Sequence, residues 1–287
     1  MKRKTSTELR SAANLVGEHK AIELIAKAGF DGWDFSLYEI CKYSKKQGCV
    51  PPSDHPLAGP DYLKFVRELK KIGLDNGIVC NQSHAPVPSY AAPVREQLKR
   101  AIECTAEAGG EIIVIHPGNN YTLEENTQLY LELLPFAKSH GVKIATENMW
   151  NWDKEKDQAA PAACSTPESF CAHIDRIADP EFVACLDIGH AEMRGHNTNA
   201  VEMIHALGSR IGALHLHDND LWKDSHQLPF TMSVDFEAVT AALKEIGYTG
   251  WVTLEAYNYL ADFAPEDTFR GLCDLSRAAR RLATMLE

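Results

Sequence analysis

Phe182-Val183-Ala184-Cys185-Leu186-Asp187-Ile188-Gly189-His190-Ala191 decides how the rest of the chain is read. An apolar run from Phe182 to Leu186 ends on an acid, and a histidine follows three residues later. A buried strand of a closed parallel sheet delivers polar groups to its rim in this way, because the strand ends and the loops beyond them form the active face. Other apolar runs of the chain also stop on a single His, Asp or Glu. Those endings converge only if the strands lie side by side and parallel.

Outward from that stretch, strand-like runs alternate with helical periodicity from end to end, the pattern of a parallel sheet with crossover helices. The pattern places strands over Leu9–Val16, Gly32–Leu37, Gly77–Asn81, Glu111–Ile115, Val142–Thr146, Phe182–Leu186, Ile211–Leu216 and Trp251–Leu254. Helices are expected over Ala21–Ala28, Asp61–Ile72, Val94–Ala108, Leu123–His140 and Pro265–Met285, and from a Thr166-Pro167-Glu168 cap with proline at the first helical position. The segment 41–60 is long enough for a lid, and the stretch holding Trp150 and Trp152 reads as irregular. Eight strand-helix units without a composition break predict one α/β domain over residues 1–287, a (β/α)8 TIM barrel. The rival, a doubly wound open sheet, would carry a Gly-rich phosphate fingerprint after its first strand, and none is found there.

The formal net charge is -11 and the sequence pI about 5.6, so the chain as a whole repels phosphate backbones, and nucleic acid is a disfavoured partner. Lys42, Lys45 and Lys46 form the one basic cluster and read as a solvated face. Eight cysteines lack paired metal spacing and no secretory leader precedes them, so reduced thiols in a cytoplasmic protein are expected. No stretch is long and apolar enough to span a membrane.

The expected rim gathers His84, His116, Glu147, Asp187, His215 and Glu255 from strands three to eight, with His190 just beyond the sixth. The loop after the seventh adds Asp218, Asp224 and His226. These nitrogen and oxygen donors, without a thiolate, suit a divalent ion such as Zn²⁺ or Mn²⁺. Taken singly, a strand-end histidine is more often a hydrogen-bonded structural residue, and Asp187 could equally cap the next helix. Six neighbouring strands with such endings outweigh the single-residue readings. His217 faces the same side as His215 and reads as a residue behind the ligands. His19, His140, His173, His196 and His205 read as solvated. Trp150 and Trp152 either cover a sugar ring or pack their own loop. Glu147 and Glu255 stand on separate strands and could approach one substrate carbon from two sides, one removing a proton and the other returning it through a metal-stabilised cis-enediolate. A catalytically idle carbohydrate-binding barrel is the non-enzymatic alternative.

Thr146-Glu147-Asn148, Leu186-Asp187-Ile188-Gly189-His190-Ala191, His215-Leu216-His217-Asp218-Asn219-Asp220, Asp224-Ser225-His226 and Leu254-Glu255 together resemble the xylose isomerase-like TIM-barrel superfamily, in particular its sugar phosphate isomerase/epimerase proteins. The resemblance spans nearly the whole chain. It implies a metal-dependent isomerase or epimerase acting on a carbohydrate, and a homo-oligomer. From the ketose 3-epimerase branch it implies one ion held by Glu147, Asp187, His215 and Glu255, with His190 on the substrate. Leu221 stands where that branch often has an arginine. From the endonuclease IV branch it implies up to three ions, with His84, His116, His190, Asp224 and His226 as further ligands, and hydrolysis at abasic DNA as the alternative function. Leu228-Pro229-Phe230-Thr231-Met232 replaces a Gly-x-Gly common to both branches.

Overall fold

The computed structural model describes residues 2–287. Eight parallel strands form the barrel: β1 Thr5–Glu8, β2 Gly32–Ser36, β3 Val79–His84, β4 Ile112–Val114, β5 Lys143–Glu147, then β8 Phe182–Asp187, β9 Ile211–His215 and β10 Val252–Leu254. Two short strands between β5 and β8, β6 Asn151–Asp153 and β7 Gln158–Ala160, make a separate antiparallel hairpin. In space the barrel runs β10-β1-β2-β3-β4-β5-β8-β9. A parallel bridge between Leu216 and Leu254 closes it. The chain is thus a single-domain (β/α)8 TIM barrel.

Period-2 alternation sorts the strand residues into two layers. Trp33, Phe35, Ile113, Ile144, Leu186, Leu214 and Leu254 face outward and pack under the helices, in one continuous core. Val114, Ala145, Cys185 and Ala213 face inward and fill the barrel with small side chains. The helices start where their caps place them. Thr122 and Glu125 cap Leu123–Ser139 reciprocally, and the Thr166 side chain accepts from the Ser169 backbone as expected.

Four expectations are corrected. The first strand is Thr5–Glu8, and Leu9–Val16 is mostly helix, Arg10–Val16. Leu9, Ala12, Ala13 and Val16 follow helical spacing, whereas the strand ahead of them is polar. Hydrogen bonds satisfy the start of that buried strand: the Thr5 amide donates to Asp31 Oδ2 at 2.8 Å and Ser6 Oγ to Thr253 Oγ1 at 2.9 Å. The segment read as irregular around Trp152 is the β6–β7 hairpin, its turn held by the Asp153 carboxylate accepting from the Glu155 and Lys156 amides. Strands of three residues are too short to show a period. The helix expected over Val94–Ala108 comes in two pieces, Ala92–Arg95 and Leu98–Ala108. Finally, His173 and His196 are buried. His173 turns inward to Ser169 O and Asn126, and His196 lies in a loop whose Gly195 is pressed against Ala159 O of the hairpin.

Helix Tyr62–Asp75 crosses β2 at Gly73. A Cβ there would stand 2.3 Å from the Trp33 ring. Gly73→Ala should therefore lower stability by about 1–3 kcal/mol through overpacking, read as a shift in urea midpoint without a change in slope.

Candidate metal centre

On four strands the residue two beyond the small inward layer is a metal-competent group. Val114 leads to His116, Ala145 to Glu147, Cys185 to Asp187 and Ala213 to His215. Alternation turns these side chains to the same inward face, at the C-terminal mouth. His84 arrives from β3 and Glu255 from the end of β10 in the same way. Three donor groups result: His84, His116 and Glu147; Glu147, Asp187, His215 and Glu255; and His190, His217, Asp224 and His226. Within each, one potential ligand atom per residue lies within 4.8 Å of the others. Glu147 belongs to the first two groups. All nine residues expected at the rim for one to three ions are brought together.

Hydrogen bonds fix the tautomers. His84 Nδ1 lies 2.9 Å from Ala85 O, His190 Nδ1 2.9 Å from Asn148 O and His226 Nδ1 2.7 Å from Glu255 O. A carbonyl oxygen has no proton to give, so in each ring Nδ1 donates and Nε2 can present its lone pair to the centre. His215 is held the other way round, its Nε2 at 3.2 Å from Asp34 Oδ2 and its Nδ1 turned to Glu147 Oε1 at 3.1 Å. This is the carboxylate–histidine arrangement that orients metal ligands.

The inward ring nitrogens point at oxygens. His226 Nε2 is 2.9 Å from Asp224 Oδ1, and His116 Nε2 is 3.0 Å from Glu147 Oε2, yet both oxygens lack a hydrogen-bond partner. Asp187 Oδ2 is likewise buried and unpartnered, while its Oδ1 accepts the His190 amide at 2.7 Å. Asp187 therefore both caps the helix Ile188–Glu192 and offers a free oxygen to the centre. Burial pushes the Glu147 carboxyl up, but the His215 and His116 imidazoles outweigh it and hold Glu147 well below the usual carboxylate range. Orphaned anionic oxygens facing imidazole nitrogens in a buried site fit a divalent cation.

Other positions resolve differently. His217 sits in the third group, its Nε2 at 3.1 Å from Asp187 Oδ1 and its ring stacked on His226 at 3.8 Å between centroids. Asp218 carries a structural load: its carboxylate accepts from the amides of Asn219, Thr231, Met232 and Val234 at 2.9–3.0 Å, shaping the loop that lacks Gly-x-Gly. Trp150 donates its indole N–H to Asp224 Oδ2 at 3.2 Å, and Trp150 and Trp152 both line the cavity of about 450 Å³ above the donors. Cys185 lies within ligand reach of Glu147 and His215, but burial pushes its thiol up to about 12, so it stays protonated.

Four residues here escaped the sequence analysis. Asp34 and Gln82 support His215 from β2 and β3. Tyr257 stacks on His226 at 3.9 Å. Glu8, at the end of β1, lines the cavity and bonds Ser11. The signal for Asp34 was present, an acid alternating with Trp33 and Phe35. Glu8 was hidden by the misplaced first strand.

Burial drives the Glu8 carboxyl up to about 7 against the pull of its Ser11 hydrogen bonds. Its contribution to stability is full below the unfolded value near 4.5 and is lost as pH rises through 7. In metal-free protein, Glu8→Gln should gain stability over the parent across that window, by on the order of 3 kcal/mol at its upper end, read from urea unfolding at successive pH values.

Known proteins resemble this chain along most of its length. Uncharacterized protein MJ1311 of Methanocaldococcus jannaschii is 29% identical over 256 residues, covering 83% of this chain and 78% of its own. A D-tagatose 3-epimerase-like protein superposes with a TM-score of 0.72 at 23% identity, covering 100% of this chain and 98% of that one. An L-ribulose 3-epimerase superposes at 0.71 with 18% identity, covering 100% and 95%. The sequence profile of the xylose isomerase-like TIM barrel matches residues 22–279, and the chain belongs to that family.

Proposed function

We propose that this chain is a divalent-metal-dependent isomerase or epimerase of a sugar or sugar derivative, moving a proton on the carbon beside a carbonyl. The observation that carries this reading is the convergence of Glu147, Asp187, His215 and Glu255 at the barrel mouth, where Glu147 and Glu255 line the cavity. The epimerases among its structural relatives support the substrate class. Those four residues would hold one ion, Zn²⁺ or Mn²⁺, and the two flanking groups of donors could raise the number to three. When bound, the ion supplies Lewis-acid polarisation of the carbonyl and its neighbouring hydroxyl.

The chain's own groups do the rest. Glu147 and Glu255 come from strands on different sides of the cavity, so one carboxylate can take the proton and the other return it. His190, fixed by Asn148 O, would contact the substrate. Trp150 and Trp152 would cover it and keep water out. All eight cysteines are free thiols, which supports a cytoplasmic setting. No helix among the described residues is long and apolar enough to cross a membrane.

Glu147→Gln and Glu255→Gln should each cut deuterium exchange from solvent into a ketose panel by roughly a hundredfold or more, and near-parental exchange in either variant refutes its assigned role. Exhaustive chelation should abolish exchange, with recovery on adding Zn²⁺ or Mn²⁺. Asp34→Ala, which frees the far side of His215, should weaken metal binding about 10–100-fold in a competition titration with a chromogenic chelator.

One observation favours a second reading. Three neighbouring donor groups, two of them sharing Glu147, offer places for up to three ions, more than proton transfer needs, as a phosphodiesterase of the endonuclease IV kind acting on abasic DNA would use. The net charge of -11 weighs against DNA. Nicking of an abasic duplex that disappears in Asp224→Asn, together with no exchange on any ketose, would put this reading first.

A further inference from the structure

Beside the cavity over the donor groups lies a second chamber of about 760 Å³. Tyr38, Lys45, Val87, His116, Asn119 and Met149 stand in the walls of both, so the two adjoin. Their chemistry differs. Glu8, Asp34, Glu147, Asp224 and Glu255 all line the first chamber, and no carboxylate lines the second. Four tyrosines, Tyr38, Tyr43, Tyr90 and Tyr121, face the second instead, with the amides of Asn119, Asn120 and Asn151.

These rings come from three consecutive strand-to-helix loops, those after β2, β3 and β4, which places them on one side of the barrel mouth. Tyr90 and Tyr121 lie 6.3 Å apart between centroids at 49°, and Tyr90 is 43% exposed despite its size. Tyr121 is seated against the backbone at Gly118, where a Cβ would stand 2.6 Å from its ring. A large exposed ring beside a seated one, with amides around them, is a surface for the flat face of another ring. Among the described residues Lys45 is the one ammonium in the wall, with no arginine or second lysine beside it to form a phosphate clamp.

We infer that the second chamber is a subsite for a second ring, so that the substrate is a two-ring glycoside: its carbonyl-bearing unit lies over the donor groups and its other ring packs against Tyr90 and Tyr121. This rests on the isomerase or epimerase reading above. The partner ring is a pyranose or an aromatic aglycone, which share an apolar face for the tyrosine rings; a pyranose adds hydroxyls for the asparagine side chains.

The experiment compares the metal-loaded enzyme on fructose, fructose 6-phosphate, the two-ring ketoses lactulose and isomaltulose, and keto-glucosides bearing phenyl or glucosyl groups. Solvent deuterium exchange and calorimetric binding are measured for each. The two-ring compounds should exceed fructose in kcat/KM by about tenfold or more, and Tyr90→Ala or Tyr121→Ala should lower that ratio about tenfold, through KM, while Tyr90→Phe retains it. Phenyl against glucosyl separates the two kinds of partner ring. A ratio near one, a ratio unmoved by the tyrosine variants, or a preference for fructose 6-phosphate abolished by Lys45→Ala overturns the subsite. Exchange on fructose without a two-ring preference leaves the isomerase reading standing. Absence of exchange on every compound sinks that reading, and calorimetry then decides the subsite alone: two-ring binding weakened by Tyr90→Ala upholds it, and equal or absent binding overturns it.

Discussion

Buried anionic oxygens and imidazole lone pairs repel one another unless positive charge lies between them, and this constraint governs the mouth of the barrel. Glu147, Asp187 and Asp224 each keep a buried oxygen without a partner, although histidine nitrogens stand close to them. Much of the local sequence serves to hold this arrangement in place. Carbonyls of Ala85, Asn148 and Glu255 turn three imidazoles inward, and Asp34 does the same for a fourth. Asn148 also pairs with the backbone of Asp187 through two hydrogen bonds of 2.8 Å, locking the ends of β5 and β8 together. Gly189 is needed where it stands, since a Cβ there would fall 2.0 Å from the His217 ring.

The interior below the site is graded from bottom to top. Ser6, Asn81 and Thr253 form a hydrogen-bonded cluster deep in the barrel, and Gln82 links it upward to Asp34 and His215. On the other side of the barrel the filling is apolar and small. A polar ladder thus reaches the candidate donors from β1, β2, β3 and β10, while β4, β5, β8 and β9 rise from Val114, Ala145, Cys185 and Ala213. Both halves turn polar two residues from the strand ends.

Most of this was legible in the sequence because ligands and strand ends coincide. An apolar run that stops on His, Asp or Glu reports the strand, its direction and the donor together, which is why β8 with Asp187 and β9 with His215 read cleanly. The signal failed where a strand is polar throughout. Thr5 and Ser6 bond Asp31 and Thr253, 26 and 247 positions away, and no local period reports such partners. The supporting shell was harder to see for the same reason. Gln82 and Asp34 act on His215 from distant segments, and only the closed sheet brings them there. Asp218 misled in the opposite sense: its place beside His217 suggests a ligand, but four backbone amides take up its oxygens.

The closure of the barrel carries a consequence for how the mouth deforms. Between β9 and β10 the sheet is joined by the Leu216–Leu254 bridge, through the Leu216 amide to Thr253 O and the Glu255 amide to Leu216 O, each at 3.0 Å. β8 and β9, by contrast, pair over four residues, the last three, Cys185 to Asp187, in unbroken register. His215 and Glu255 flank this narrow seam. Any widening there would change their separation, so the closure of the cylinder and the spacing of these two side chains are set by the same pair of hydrogen bonds.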